Sequence, residues 1–170
     1  MKIQSLRTDD CFEQVMEKYS ELIYRVAYAN VRIKADADDV FQEVWSRYYQ
    51  KNKTFDSEEH IRSWLINVTL KCCKKIYSSA RYKRTVLTDD LSLLQSQLPH
   101  KDFEIYNAVT NLPEKYRAPI YLYYYEGFSV NEISQMTNTN ASTVRSHMKR
   151  GREKLKDILE GDAFYEKRQY

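Results

Sequence analysis

The chain has 170 residues, a formal net charge of +3, 30% charged and 42% hydrophobic residues, and only three glycines and three prolines. That length holds one ordinary domain or two small ones, and so few turn-forming residues argue against a strand-and-turn architecture. No run approaches the roughly 20 apolar residues that cross a bilayer, and Met1 to Asp10 lacks an apolar signal core, so the expectation is a soluble cytoplasmic protein without membrane insertion.

From the N-terminus, Phe12, Val15, Met16, Tyr19, Leu22, Ile23, Val26 and Ala27 recur at three and four and predict an amphipathic helix ending near Asn30. Ile33 to Asp36 reads as a connection, with Asp36 as the N-cap of a second helix through Ala37, Val40, Phe41, Val44, Trp45 and Tyr48. Asp39, Gln42, Glu43 and Ser46 fall on the face away from that apolar stripe. Lys51 to His60 lacks periodicity and predicts a loop containing Phe55. Ile61, Trp64, Leu65, Val68, Cys72 and Ile76 carry the next helix, with Arg62, Lys71, Lys74 and Lys75 outside it.

Charge is segregated along this half. His60 to Thr88 holds seven Lys/Arg and no Asp/Glu, whereas Asp36 to Glu43 holds four acids and no base. Two unlike binding surfaces follow, one for an anion and one for a basic or polar partner. Cys11, Cys72 and Cys73 are odd in number, with two adjacent, which suits neither a disulfide framework nor a Cys-x-x-Cys site, and the expectation is reduced, structural thiols. His60, His100 and His147 lie in different segments, so no metal, cofactor or catalytic centre is expected.

Thr85 to His100 reads as a linker with one loose turn at Leu91 to Leu94. Phe103, Ile105, Tyr106 and Val109 open a second helical unit, and Pro113 suits the first position of a helix running to Glu126, with a kink at Pro119. Tyr121, Tyr123, Tyr124 and Tyr125 read as core and half-core rather than as a stacking platform. Gly127 is placed to end that helix in the left-handed region. Ser129 and Glu132 form a capping box, and Phe128 and Ile133 a hydrophobic staple, for a short helix ended by Thr137, Asn138 and Thr139. Asn140 then caps a helix with a narrow seam of Val144, Met148 and Leu155. This is a helix-turn-helix pattern with Ser142 to Arg152 as the recognition helix. A groove-reading helix needs small polar residues near its start and cations beside the phosphates. Ser142, Thr143, Arg145, Ser146, Lys149, Arg150 and Arg152 are the candidate contacts to duplex DNA.

Three blocks, Asp36 to Trp45, Ile61 to Asn67 and Leu112 to Arg152, make the chain resemble the extracytoplasmic-function (ECF) sigma factors, the small two-domain specificity subunits of bacterial RNA polymerase. The resemblance implies an all-α fold of two small helical domains, 1–84 and 101–170, joined by a flexible linker, 85–100, with the helix-turn-helix in the second. It implies that Asp39, Gln42 and Glu43 dock on the clamp helices of the polymerase largest subunit, and that Trp64 is a core residue. It further implies that a loop from Lys53 to His60 takes up single-stranded minus-10 DNA. Phe55, Asp56, His60, Arg62, Lys71, Lys74 and Lys75 are the candidate minus-10 contacts. The implied partners are core RNA polymerase, promoter DNA and an anti-sigma factor.

Thr137, Asn138, Thr139 and Gly151 depart from the family pattern, and Gly151 costs about 1 kcal/mol of helix propensity relative to alanine. The rival reading is a helix-turn-helix regulator whose N-terminal half senses a ligand or dimerises. It leaves the acidic helix, the loop and the acid-free basic helix without a purpose. A helical enzyme has no nucleophile motif to stand on.

Overall fold

A computed structural model describes residues 9–51, 55–78 and 100–166. These residues form seven helices and no strand: α1 (Asp9–Val31), α2 (Lys34–Gln50), α3 (Glu58–Tyr77), α4 (His100–Thr110), α5 (Glu114–Tyr124), α6 (Val130–Thr137) and α7 (Ala141–Glu166). The chain divides into two compact units, one built on α1 to α3 and the other on α4 to α7. Residues 85–99 of the expected linker, its turn at Leu91 to Leu94, and Lys53 lie outside the described residues. His100, expected as the last linker residue, already belongs to α4.

In the first unit the period of three and four does what it predicts: Ile23, Val26, Val31, Val40, Val44, Leu65 and Ile66 are buried from all three helices. Each such side chain contributes about 1.5 to 3 kcal/mol on leaving water. The junction of α1 and α2 is tighter than expected. Arg32 takes a left-handed φ of 65°, so the chain reverses in two residues and α2 begins at Lys34. Ile33 occupies the N-cap position with no side-chain cap, and Asp36, expected there, sits in the first turn, where it complements the helix dipole. α3 also starts early. Ser57 caps it by accepting from the His60 amide at 3.1 Å, with Glu58 and Glu59 in the first turn, so His60 is helical rather than part of a loop. Cys72 and Cys73 are buried free thiols, and burial pushes the Cys72 thiol up, away from a reactive thiolate.

In the second unit α5 begins after Pro113, which lies at the N-cap rather than the first helical position, and ends at Tyr124 rather than Glu126. Its backbone stays helical across Pro119. The Pro113 carbonyl accepts from the Tyr116 and Arg117 amides. Arg117, buried, donates to the Thr110 carbonyl at 2.7 Å and ties α5 to the end of α4. The tyrosines divide. Tyr121 is buried and stacks on Tyr125 (5.1 Å, 11°), but Tyr123, Tyr124 and Tyr125 are 41%, 56% and 42% exposed, because the helix turns them past the strip that buries Ile120 and Leu122. Gly151 is buried against α5. A Cβ there would meet Ile120 Cδ1 at 2.3 Å and Tyr116 Cβ at 3.3 Å, so this glycine permits a close helix approach and is not merely a propensity cost.

Candidate nucleic-acid and polymerase surfaces

The outward side of α2 carries Asp39, Gln42 and Glu43, all exposed, as the sequence places them. Glu43 accepts from Arg47 at 2.7 Å one turn on. Asp36, Asp39 and Glu43 border a groove of about 430 Å³ whose apolar side is Val40, Cys72 and Ile76 and whose cations are Arg47 and Lys75. A rim of carboxylates over an apolar floor can hold a cationic, amphipathic partner segment.

A second surface forms where α2 ends and α3 begins. Tyr48 and Phe55 stack (5.7 Å, 19°), Trp64 meets Phe55 edge-on at 5.7 Å, and the His60 ring lies 5.2 Å from Phe55. The Lys51 ammonium lies 4.0 Å from the Phe55 ring centre and 4.3 Å from that of Trp64. Tyr48, Lys51, Phe55 and Trp64 are only partly buried and His60 is exposed. Trp64, expected in the core, therefore belongs to this surface. Half-exposed rings beside a cation can stack on unpaired bases and hold the adjoining phosphate.

Of the candidate minus-10 residues, Phe55, Asp56 and His60 come together, with His60 Nδ1 3.7 Å from Asp56. Lys71 and Lys74 are exposed further along α3. Arg62 faces α1, where its charge acts on Lys18 and Tyr19, and Lys75 lines the acidic groove. Tyr48, Lys51 and Trp64 escaped sequence reasoning. The available signal was an aromatic and a lysine three residues apart immediately before Phe55.

In the second unit the local signals all appear as geometry. Gly127 has φ 73° and Asn138 φ 51°. The Ser129 amide donates to Glu132 at 2.9 Å while the Glu132 amide donates to Ser129 Oγ at 3.3 Å, and Phe128 and Ile133 are buried. Asn140 Oδ1 accepts from the Thr143 amide at 2.8 Å and from the Ser142 hydroxyl at 2.7 Å. Val144 and Met148 are buried, while Leu155 is only partly so. At 3.6 residues per turn, this leaves Ser142, Arg145, Ser146 and Lys149 on one outward face, all exposed. Arg150 and Arg152 flank that face on opposite sides, both exposed, and Thr143 is half-buried.

The family description "Sigma-70 region 2" matches residues 15–82 and "Sigma-70, region 4" matches residues 102–155. The ECF RNA polymerase sigma factor SigW of Bacillus subtilis is 28% identical over 171 residues, covering 88% of this chain and 89% of that protein. The chain belongs to the ECF sigma factors. This sigma factor is also 25% identical, over 159 residues, to the ECF RNA polymerase sigma factor SigE of Mycolicibacterium smegmatis, covering 87% of its own length but only 61% of that relative. Its fold is shared with the sigma factor RpoE of Bartonella quintana, solved in complex with the anti-sigma factor NepR (TM-score 0.64, 19% identity, 88% of this chain and 96% of that one). Among the described residues of the sigma factor, no helix is long and apolar enough to cross a membrane.

Proposed function

We propose that this sigma factor acts in the cytoplasm as a recognition subunit with no reaction of its own, directing core RNA polymerase to promoters through three surfaces. Asp39, Gln42 and Glu43 dock on the clamp helices of the polymerase largest subunit. The rings of Phe55, His60, Tyr48 and Trp64, with Lys51, receive unpaired minus-10 bases, Asp56 bordering them and Lys71 and Lys74 guiding the strand. Ser142, Thr143, Arg145, Ser146 and Lys149 read the minus-35 duplex, and Arg150 and Arg152 hold its phosphates. The domains that go with this reading are 1–84 and, with His100 taken into α4, 100–170, with 85–99 between them, and an anti-sigma factor like the partner of the Bartonella quintana relative would hold the protein inactive.

The observation that carries the reading is the first unit, where an exposed acidic face and a half-exposed aromatic cluster with a lysine between its rings share α2. A sensing or dimerisation domain needs neither. The test is run-off transcription with core polymerase added to the purified protein. The expected result is initiation at discrete promoters, lost together with core co-elution in the Asp39→Lys, Glu43→Lys double variant, which keeps wild-type helicity. Transcription that the added protein leaves unchanged, or a double variant that still co-elutes with core, rejects the assignment.

A further inference from the structure

Beside the reading face of α7, a third group of side chains converges from two helices. Tyr116, on the first turn of α5, is buried, and its ring meets the half-buried His147 of α7 edge-on at 5.8 Å. The Lys115 ammonium lies 4.9 Å from the Tyr116 ring centre, and Lys115 and Arg150 both act on the Tyr116 hydroxyl. Lys115 and Arg150 are exposed, and among the described residues no carboxylate pairs with either.

Two titratable groups report the same field. Burial pushes the Tyr116 phenol up, yet Lys115 and Arg150 outweigh it and bring the group below its ordinary value. Burial, then Lys115, then Arg150 push the His147 imidazole down. No acid contributes at either group. Two cations drawn to one hydroxyl repel each other, and an anion accepting from both removes that repulsion while keeping their donors satisfied.

We propose that Lys115, the Tyr116 hydroxyl and Arg150 form a binding site for one backbone phosphate of the duplex that α7 reads, so that α5 grips the strand running along the Arg150 side of the recognition helix. The proposal rests on the minus-35 reading of α7, and it adds to that reading a contact from outside the helix-turn-helix. Arg150 is on the α7 flank next to α5 and one position beyond Lys149, so a strand bordering the reading face passes the Lys115 ammonium. Ring and hydroxyl of Tyr116 then have separate duties, the ring packing under α7 and the hydroxyl orienting the two cations toward the phosphate.

The experiment uses the full chain and duplexes it enriches from a random pool, followed by fluorescence anisotropy of one labelled duplex and its single-base variants at several salt concentrations. Lys115→Ala should keep the thermal midpoint and the base-preference profile, weaken every duplex roughly five- to tenfold near 0.1 M salt, and lower the salt slope by about 0.9. Lys115→Arg should restore both. Tyr116→Phe, which keeps the buried ring, should weaken all sequences alike. A wild-type salt slope in Lys115→Ala overturns the phosphate site while leaving the minus-35 reading standing. A wild-type chain that enriches no duplex overturns the minus-35 reading and the site with it.

Discussion

The junction of α2 and α3 gathers four rings, those of Tyr48, Phe55, His60 and Trp64, around one lysine, whereas the outward face of α7 carries Ser142, Arg145, Ser146 and Lys149 and no ring at all. On the proposed reading, the contrast follows from what each surface would recognise. An unpaired strand offers the faces of its bases, which any ring can cover, so affinity comes from stacking. A duplex hides those faces and shows only base edges and phosphates, so affinity comes from donors of fixed length on a slim helix. On that reading, the two units divide promoter recognition by the physical state of the DNA, and each surface would fail at the other's task.

Losing the rings should do the greatest damage. Phe55→Ala with Trp64→Ala removes two stacking partners, each worth about 1 to 3 kcal/mol per base. Polymerase carrying this variant should still bind duplex promoter DNA but fail to hold it melted, which permanganate reactivity of unpaired thymines measures. Normal reactivity would end the contrast by showing that the aromatic end of α2 is only packing.

The second comparison lies within α7. Arg145→Ala should cost about 1 to 3 kcal/mol and relax preference at one or two minus-35 positions, whereas Arg152→Ala should weaken all sequences alike and lower the salt slope by about 1. Titrating the full chain against single-base variants separates the two outcomes. Should Arg145→Ala change only the salt slope, α7 anchors without reading through that residue.

The smallest effect concerns how α7 is held. Gly151→Ala gains about 1 kcal/mol of helix propensity but presses on the buried Ile120 side chain and the Tyr116 Cβ, at a typical overpacking cost of about 1 to 3 kcal/mol. A modest net fall in thermal midpoint is expected in calorimetry. A rise would mean that Ile120 simply changes rotamer and that the close approach is not needed.

The helix-turn-helix was legible in detail because its determinants are local. The Ser129–Glu132 box, the left-handed Asn138 and the Asn140 cap on Thr143 each act within three residues, so spacing in the sequence is spacing in space. The exposed Asp39, Gln42 and Glu43 were legible for a similar reason, since one helix's period fixes which side faces away from its own apolar stripe. The same reasoning misplaced the start of α2, because the left-handed Arg32 is a conformation that an arginine rarely adopts, here at the junction of two helices packed on each other.

By itself, then, the sequence determined that the protein is helical, where its second unit turns, and which sides of α2 and α7 meet solvent, all through interactions spanning at most a turn or two. Tertiary structure alone decided that Tyr48, Lys51 and Trp64 join Phe55, that Arg62 faces α1, that Lys75 lines the acidic groove, and that Gly151 admits Ile120. Each of these depends on where one helix rests against another, and a helix's own periodicity says which face is buried but not which residues of a neighbour it will meet.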